Sequence, residues 1–246
     1  MMFDTCIFDF YGTLADIRTD ETKPEVWDKM SQFYAYYGAH YKPDEMREKY
    51  EKITQMMTEG KRGIRRDSHE SFPEIQIEKV FLKLFEEKGV RPDHELVLHV
   101  AQFFRILTTK YLRLYDGTKD MLASVKQSGK KVYLLSNAQR VYTEYEMNAL
   151  GVEDYFDGIF ISSDYEFRKP DVRFFQKLID TYSIHPESAI MIGNDGICDI
   201  GGARKANLLT LYIHSNISPD EPAPEADFVL DHMDMKQIKE ILLEKR

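Results

Sequence analysis

Four short apolar runs in this chain each deliver a chemically competent side chain just past their end. Residues 3–9 stop on Asp9, with Tyr11, Gly12 and Thr13 immediately after; "VYLL" leads into Ser136-Asn137; "GIFIS" is followed across a short polar stretch by Lys169-Pro170; and "AIMI" runs into Gly193-Asn194-Asp195, with Asp199 a turn beyond. A carboxylate can attack phosphorus or carbon and divide one difficult displacement into two. An ammonium can neutralise charge that develops during such a transfer. Carboxylate and carbonyl oxygens are the donors that a hard cation such as Mg²⁺ selects. Polar residues after strands are common singly; four in register define a candidate site.

The elements that must position these groups read as two kinds. From residue 115 onward, helical and strand patterns alternate. "DGTKDMLASVKQSG", "QRVYTEYEMNALG", "DVRFFQKLIDTYS" and "IGGARKAN" read as helices. "KKVYLLSNA", "FDGIFISSD", "SAIMIGND" and "LLTLYIHS" read as strands, and the tail adds a short strand and a last helix. Such alternation implies a mostly parallel sheet with helices on both faces, an α/β, Rossmann-like core. In open sheets of this kind ligands bind outside the carboxyl ends of the strands, where the polar residues fall.

Between residues 22 and 112 the character changes to Glu, Lys, Tyr, Phe and Met at helical spacing. "TKPEVWDKMSQFYAYYG", "PDEMREKYEKITQMMTEG", "EIQIEKVFLKLFEEKGV" and "DHELVLHVAQFFRILTTKYL" give a four-helix reading, two of them opening on proline and closing on glycine. The expected organisation is a core of residues 1–17 and 113–246 interrupted by an α-helical insert of residues 18–112.

Composition bounds the partners. Among 246 residues, 42 Asp plus Glu outnumber 33 Lys plus Arg, a net charge of -9. That balance disfavours nucleic-acid backbones and anionic membranes. No run of 18 apolar residues offers a membrane span, and no secretory signal pattern opens the chain. Cys6 and Cys198 form no metal-type pair and read as reduced thiols, so a cytoplasmic monomer or homodimer is expected.

With these residues in order, the chain resembles the haloacid dehalogenase-like hydrolase superfamily. Asp9-Phe10-Tyr11-Gly12-Thr13-Leu14 looks like its first motif, Ser136-Asn137 its second, Lys169-Pro170 its third and "GNDGICDIGGA" its fourth, while the helical insert is similar to the family's cap domain. The resemblance implies Asp9 as nucleophile and Lys169 as the cation that neutralises it. It further implies Ser136 as a phosphate-oxygen ligand, Asn137 as a substrate-orienting group and Thr13 as a support of the Asp9 loop. It also implies Mg²⁺ held by Asp9, the Tyr11 backbone carbonyl, and Asp195 or Asp199, with Asn194 an alternative at the first acid and Asp199 alternatively a partner of Lys169.

Tyr11 departs from the family's phosphatases, which carry a second aspartate there as proton carrier. A phenol with pKa near ~10 is a poor general base at neutral pH, so Tyr11 is expected either to donate a hydrogen bond to a leaving group or only to pack against the cap. Tyrosine at this position also resembles the 2-haloacid dehalogenases, whose halide leaves without a proton. The acidic fourth motif argues for a cation and therefore for a Mg²⁺-dependent phosphatase of a small phosphorylated metabolite. A metal-free dehalogenase of small haloacids, or a low-turnover binding protein, are the rival expectations. Asp16 and Asp20 read as hinge or solvated residues, and Phe33, Tyr34, Tyr36, Tyr37 and Tyr41 as packing within the insert. "GKRGIRR" reads as a solvated loop, its sharper alternative being that Arg62, Arg65 or Arg66 recognises an anionic substrate.

Overall fold

A computed structural model of the chain describes residues 3–59, 72–165 and 167–244. Strand β1 (Thr5–Phe8) is wholly buried and lies between β4 (Lys131–Ser136) and β6 (Ala189–Gly193), with β5 (Gly158–Ile161), β7 (Leu209–Ile213) and β8 (Phe228–Leu230) continuing outward. The spatial order is β5-β4-β1-β6-β7-β8, and every neighbouring pair is parallel. The expected parallel α/β sheet is therefore what the chain forms. A strand buried on both faces needs an apolar run rather than alternation, which is why "VYLL" and "AIMI" were readable.

Successive side chains of β1 point to opposite faces. Cys6 and Phe8 join Met121, Leu122 and Val125 of α5 (Thr118–Gln127), Met147 of α6 (Arg140–Leu150) and Ile238 and Leu242 of α9 (Met235–Leu243). Ile7 faces the other way, onto Phe174, Phe175 and Leu178 of α7 (Val172–Tyr182) and Ala203 of α8 (Gly202–Lys205). Helices cover both faces.

The inserted helices α1 (Pro24–Tyr36), α2 (Pro43–Glu59), α3 (Ile77–Glu87) and α4 (His94–Thr108) surround a separate apolar cluster containing Trp27, Tyr34, Tyr50, Phe81, Phe85 and Phe104. Tyr34 stacks on Phe85 at 4.0 Å, and the Tyr34 and Tyr41 hydroxyls donate to the Phe81 and Leu84 carbonyls. Tyr34 and Tyr41 thus pack as expected, whereas Tyr36 stands exposed.

One element departs from the sequence reading. The segment expected as a helix through "TTKYL" ends its helix at Thr108 and becomes β3 (Thr109–Leu114), which pairs antiparallel with β2 (Ala15–Thr19). The two strands form a ribbon where the chain leaves and re-enters the sheet domain. Each is short and half exposed, and each needs a partner more than 90 positions away, so local pattern favoured the neighbouring helix. Among the described residues no helix is long and apolar enough to cross a membrane. Arg62, Arg65 and Arg66 lie outside the described residues.

Candidate active site

Parallel register brings the polar strand ends together. Phe8 stands opposite Leu134 on one side and Ile192 on the other, so Asp9 emerges between the ends of β4 and β6. From β1 the chain goes to β4 and β5 on one side and then crosses from β5 to β6 on the other, which makes this edge a topological switch point. A cavity of about 200 Å³ opens there, lined by Asp9, Tyr11, Ser136, Asn137 and Lys169, by Asn194, Asp195, Cys198 and Asp199, and by Ile217 and Pro219.

Lys169 organises its floor. It is 2% exposed, and its ammonium donates to Asp9 Oδ1 at 2.8 Å, to Asp199 Oδ1 at 2.6 Å and to the Leu135 carbonyl at 2.7 Å. Those three acceptors use all three ammonium protons. Burial alone would push this ammonium's pKa down; the Asp199 and Asp9 carboxylates outweigh that and hold it above its ordinary value. Burial pushes the Asp199 carboxyl up, with Lys169 pulling it back. Both Asp199 oxygens accept hydrogen bonds, Oδ1 from Lys169 and Oδ2 from the Asp195 N–H at 3.0 Å, the arrangement of an ionised acceptor. Gly193 is required by this packing, because a Cβ there would fall on the Asp199 carboxylate.

Ser136 donates to Asp9 Oδ1 at 3.0 Å, so that oxygen serves both Ser136 and Lys169. Asn137 clamps the third-motif loop: its amide donates to the Lys169 carbonyl at 2.9 Å and its carbonyl accepts from the Lys169 N–H at 2.8 Å. Thr13 is fully buried and donates to Asn194 Oδ1 at 3.3 Å. Gly12 adopts φ +84°, and a Cβ there would fall on the Asn194 amide, so the first-motif turn and the fourth motif touch through a glycine.

The fourth motif enters its helix through a π-helical turn, Gly196–Gly201, which α8 continues. Asp195 caps that turn, Oδ1 accepting from the Ile197 and Cys198 N–H groups at 2.9 and 2.7 Å. Asp199 faces Lys169, and Asn194 faces the Asp9 loop. The three fourth-motif candidates therefore sit in three distinct settings, a distinction that depends on the turn's winding.

Tyr11 has partners that spacing did not indicate. Its hydroxyl donates to Glu146 Oε2 at 2.5 Å and lies 3.0 Å from Thr143 Oγ1, both on α6. Arg105 of α4 holds Glu146 at 2.6 Å and lies over the Tyr11 ring. Burial first, and then the Glu146 charge, push the phenol well above its ordinary pKa, so it keeps its proton. Also unanticipated is Glu74, which accepts from Ser162 Oγ at 2.6 Å and ties the insert's edge to the loop after β5. Nothing in the local pattern marks Glu146 or Arg105, because helix packing brings them to Tyr11, and Glu74 precedes α3 in an irregular segment.

The four motifs thus meet at one edge of the parallel sheet. A model of the haloacid dehalogenase-like hydrolase family matches residues 3–207, and the chain belongs to that family. It is 28% identical over 150 residues to a phosphoserine phosphatase of Thermus thermophilus, a match spanning 61% of this chain and 59% of that relative's length. Its fold is similar to the crystal structure of a HAD phosphatase from Thermococcus onnurineus, with TM-score 0.61, 21% identity and 99% of both chains covered. It is similar as well to an L-2-haloacid dehalogenase from Xanthobacter autotrophicus with chloropropionic acid covalently bound, with TM-score 0.58, 17% identity and 100% of both chains covered. The two solved folds host different chemistries, so function has to be argued from the site.

Proposed function

We propose that this chain is a phosphohydrolase of small phosphorylated metabolites that transfers a phosphoryl group to Asp9. The observation that carries the reading is the placement of Asp9 on Lys169 and Ser136 within a small, polar cavity at the sheet's switch point. With Oδ1 held by both partners, Oδ2 is the oxygen left to form the bond to phosphorus. Lys169 holds the carboxylate in place and offsets charge on the transferring group. Ser136 steadies Asp9 and lies within reach of a phosphoryl oxygen, while Asn137 keeps the Lys169 loop in register.

The donor set suits Mg²⁺. That ion takes one or two carboxylates, keeps several waters and shares substrate oxygens. Asp9, the Tyr11 carbonyl, Asn194 and Asp195 supply oxygens only, whereas Asp199 serves Lys169. Among the described residues no group of three His, Cys, Asp or Glu is arranged to hold a metal. When bound, the ion would draw charge from the phosphoryl oxygens.

We further read residues 18–112 as a cap over this edge, entering and leaving through the β2–β3 ribbon, and the cytoplasm as the protein's place. Hydrolysis of a phosphate ester panel with and without Mg²⁺ tests the function. Asp9→Asn should lower kcat by about 10³-fold or more with the fold intact by circular dichroism; near-normal turnover would refute Asp9 as nucleophile.

Tyr11 favours a second reading, a dehalogenase of 2-haloacids, because a halide needs no proton. Halide release that ignores EDTA, without phosphate release, would select it.

A further inference from the structure

We propose that the site favours phosphates whose leaving group departs without a proton: acyl phosphates, phosphoanhydrides, and aryl or enol phosphates, over alkyl monoesters. This inference rests on the phosphohydrolase reading. It follows from where the cavity's own protons are committed.

When the P–O bond breaks, its electron pair leaves with the departing oxygen. An alkoxide is about as basic as hydroxide, whose parent water has pKa ~15.7, so it departs readily only with a positioned acid, a contribution of roughly 10²–10⁴-fold. The Tyr11 proton is donated to Glu146, and that carboxylate is fixed on its other side by Arg105. All three Lys169 protons go to Asp9, Asp199 and Leu135. The Ser136 proton goes to Asp9, and the Asn137 amide to the Lys169 backbone. Asp195 and Asp199 act as acceptors, for the Ile197, Cys198 and Asp195 N–H groups and for Lys169. Of the remaining lining donors, the Cys198 thiol is bonded to Asp195 and the Asn194 amide donates to Ser218 at 3.4 Å, so among the described residues lining the cavity the protons of these groups go to protein acceptors.

The steps balance without an acid when the leaving group is a stable anion. Asp9 Oδ2 bonds to phosphorus, and the P–O bond to the leaving group breaks. A carboxylate, phosphate, phenolate or enolate then departs with the electron pair. Water next bonds to phosphorus, the Asp9–phosphorus bond breaks and returns its electron pair to the carboxylate, and the water's proton passes to the phosphate product or to solvent. An alkyl ester would stall at the first departure.

The test is the dependence of kcat/KM on leaving-group basicity in the full chain with Mg²⁺. The probes are acetyl phosphate, phenyl phosphates from nitrophenyl to unsubstituted, and glycerol phosphate as the alkyl ester. The rate should fall steadily along the series, with acetyl phosphate ahead of glycerol phosphate by at least about 10²-fold. Tyr11→Asp should raise the alkyl ester selectively and flatten the series. A flat series in the unaltered chain, or a folded Tyr11→Asp variant with an unchanged series, overturns this inference and leaves the phosphohydrolase reading standing. If the variant fails to fold, the unaltered series still decides. No turnover of any phosphate, together with halide release from 2-haloacids, overturns the underlying reading.

Discussion

Lys169 is a long cationic side chain with almost no solvent contact, held between Asp9 and Asp199. A buried charge is tolerated when its partners are close and its hydrogen bonds are complete, and removing one member leaves the others uncompensated. Lys169→Met keeps much of the volume and removes the charge, stranding two carboxylates at the same edge. It should lower the unfolding free energy by about 3–5 kcal/mol, read by urea denaturation, and should abolish turnover. A loss under about 1 kcal/mol would mean that water reaches the carboxylates and takes over the role of the ammonium. Legibility at this scale was uneven. Asp9, Ser136 and Lys169 came from position after apolar runs, and the two readings of Asp199 from the family resemblance. The direction of the Tyr11 hydroxyl did not, since its partners lie on another helix 132 and 135 positions away.

At the scale of elements, the β2–β3 ribbon was missed and proves to be well anchored. Asp16, on β2, accepts from Arg113 at 2.8 Å, Tyr111 at 3.2 Å and Asn216 at 2.9 Å. Asn216 belongs to the loop that also carries Ile217 and Pro219 into the cavity wall, so the ribbon and that wall share a strut. Burial works against the Asp16 charge, but the bonds from Asn216, Arg113 and Tyr111 outweigh it and hold the carboxyl below its ordinary value. A depressed native-state value contributes stability that is present above the unfolded pKa near ~3.9 and is lost as pH falls through the native one. Asp16→Asn should therefore cost about 1–3 kcal/mol at neutral pH, with the gap to the unaltered chain narrowing below about pH 4. Parallel denaturation series at neutral and acid pH check this, and a pH-independent gap would show that shape rather than charge matters there. Asp16 was expected to be a hinge or solvated residue; it is buried on β2, and the strand pairing it supports was invisible to a local pattern.

For the molecule as a whole, the insert's apolar cluster takes in Val141 of α6, and polar ties join the insert to the sheet core as well. Arg105 of α4 and Glu146 of α6 form one, at 2.6 Å with both side chains mostly buried; Glu74 with Ser162 forms another. Because Glu146 also receives the Tyr11 hydroxyl, the first tie joins the helical insert to the loop that bears Asp9. A double-mutant cycle of Arg105→Met and Glu146→Gln should give a coupling of about 0.5–3 kcal/mol in stability. Additive effects would show that each residue acts on its own element.

The amino-acid sequence by itself determined the order of helices and strands apart from the β2–β3 ribbon, the apolar strands of a parallel sheet and the four polar strand ends. Those properties follow from local periodicity and from the burial of both sheet faces. Tertiary structure decided which of Asn194, Asp195 and Asp199 faces which partner, because a π-helical turn rather than a regular helix sets their directions. It also decided what Tyr11 does, since a hydroxyl takes the acceptor that packing brings within reach; α6 brings Glu146 there, and α4 adds Arg105.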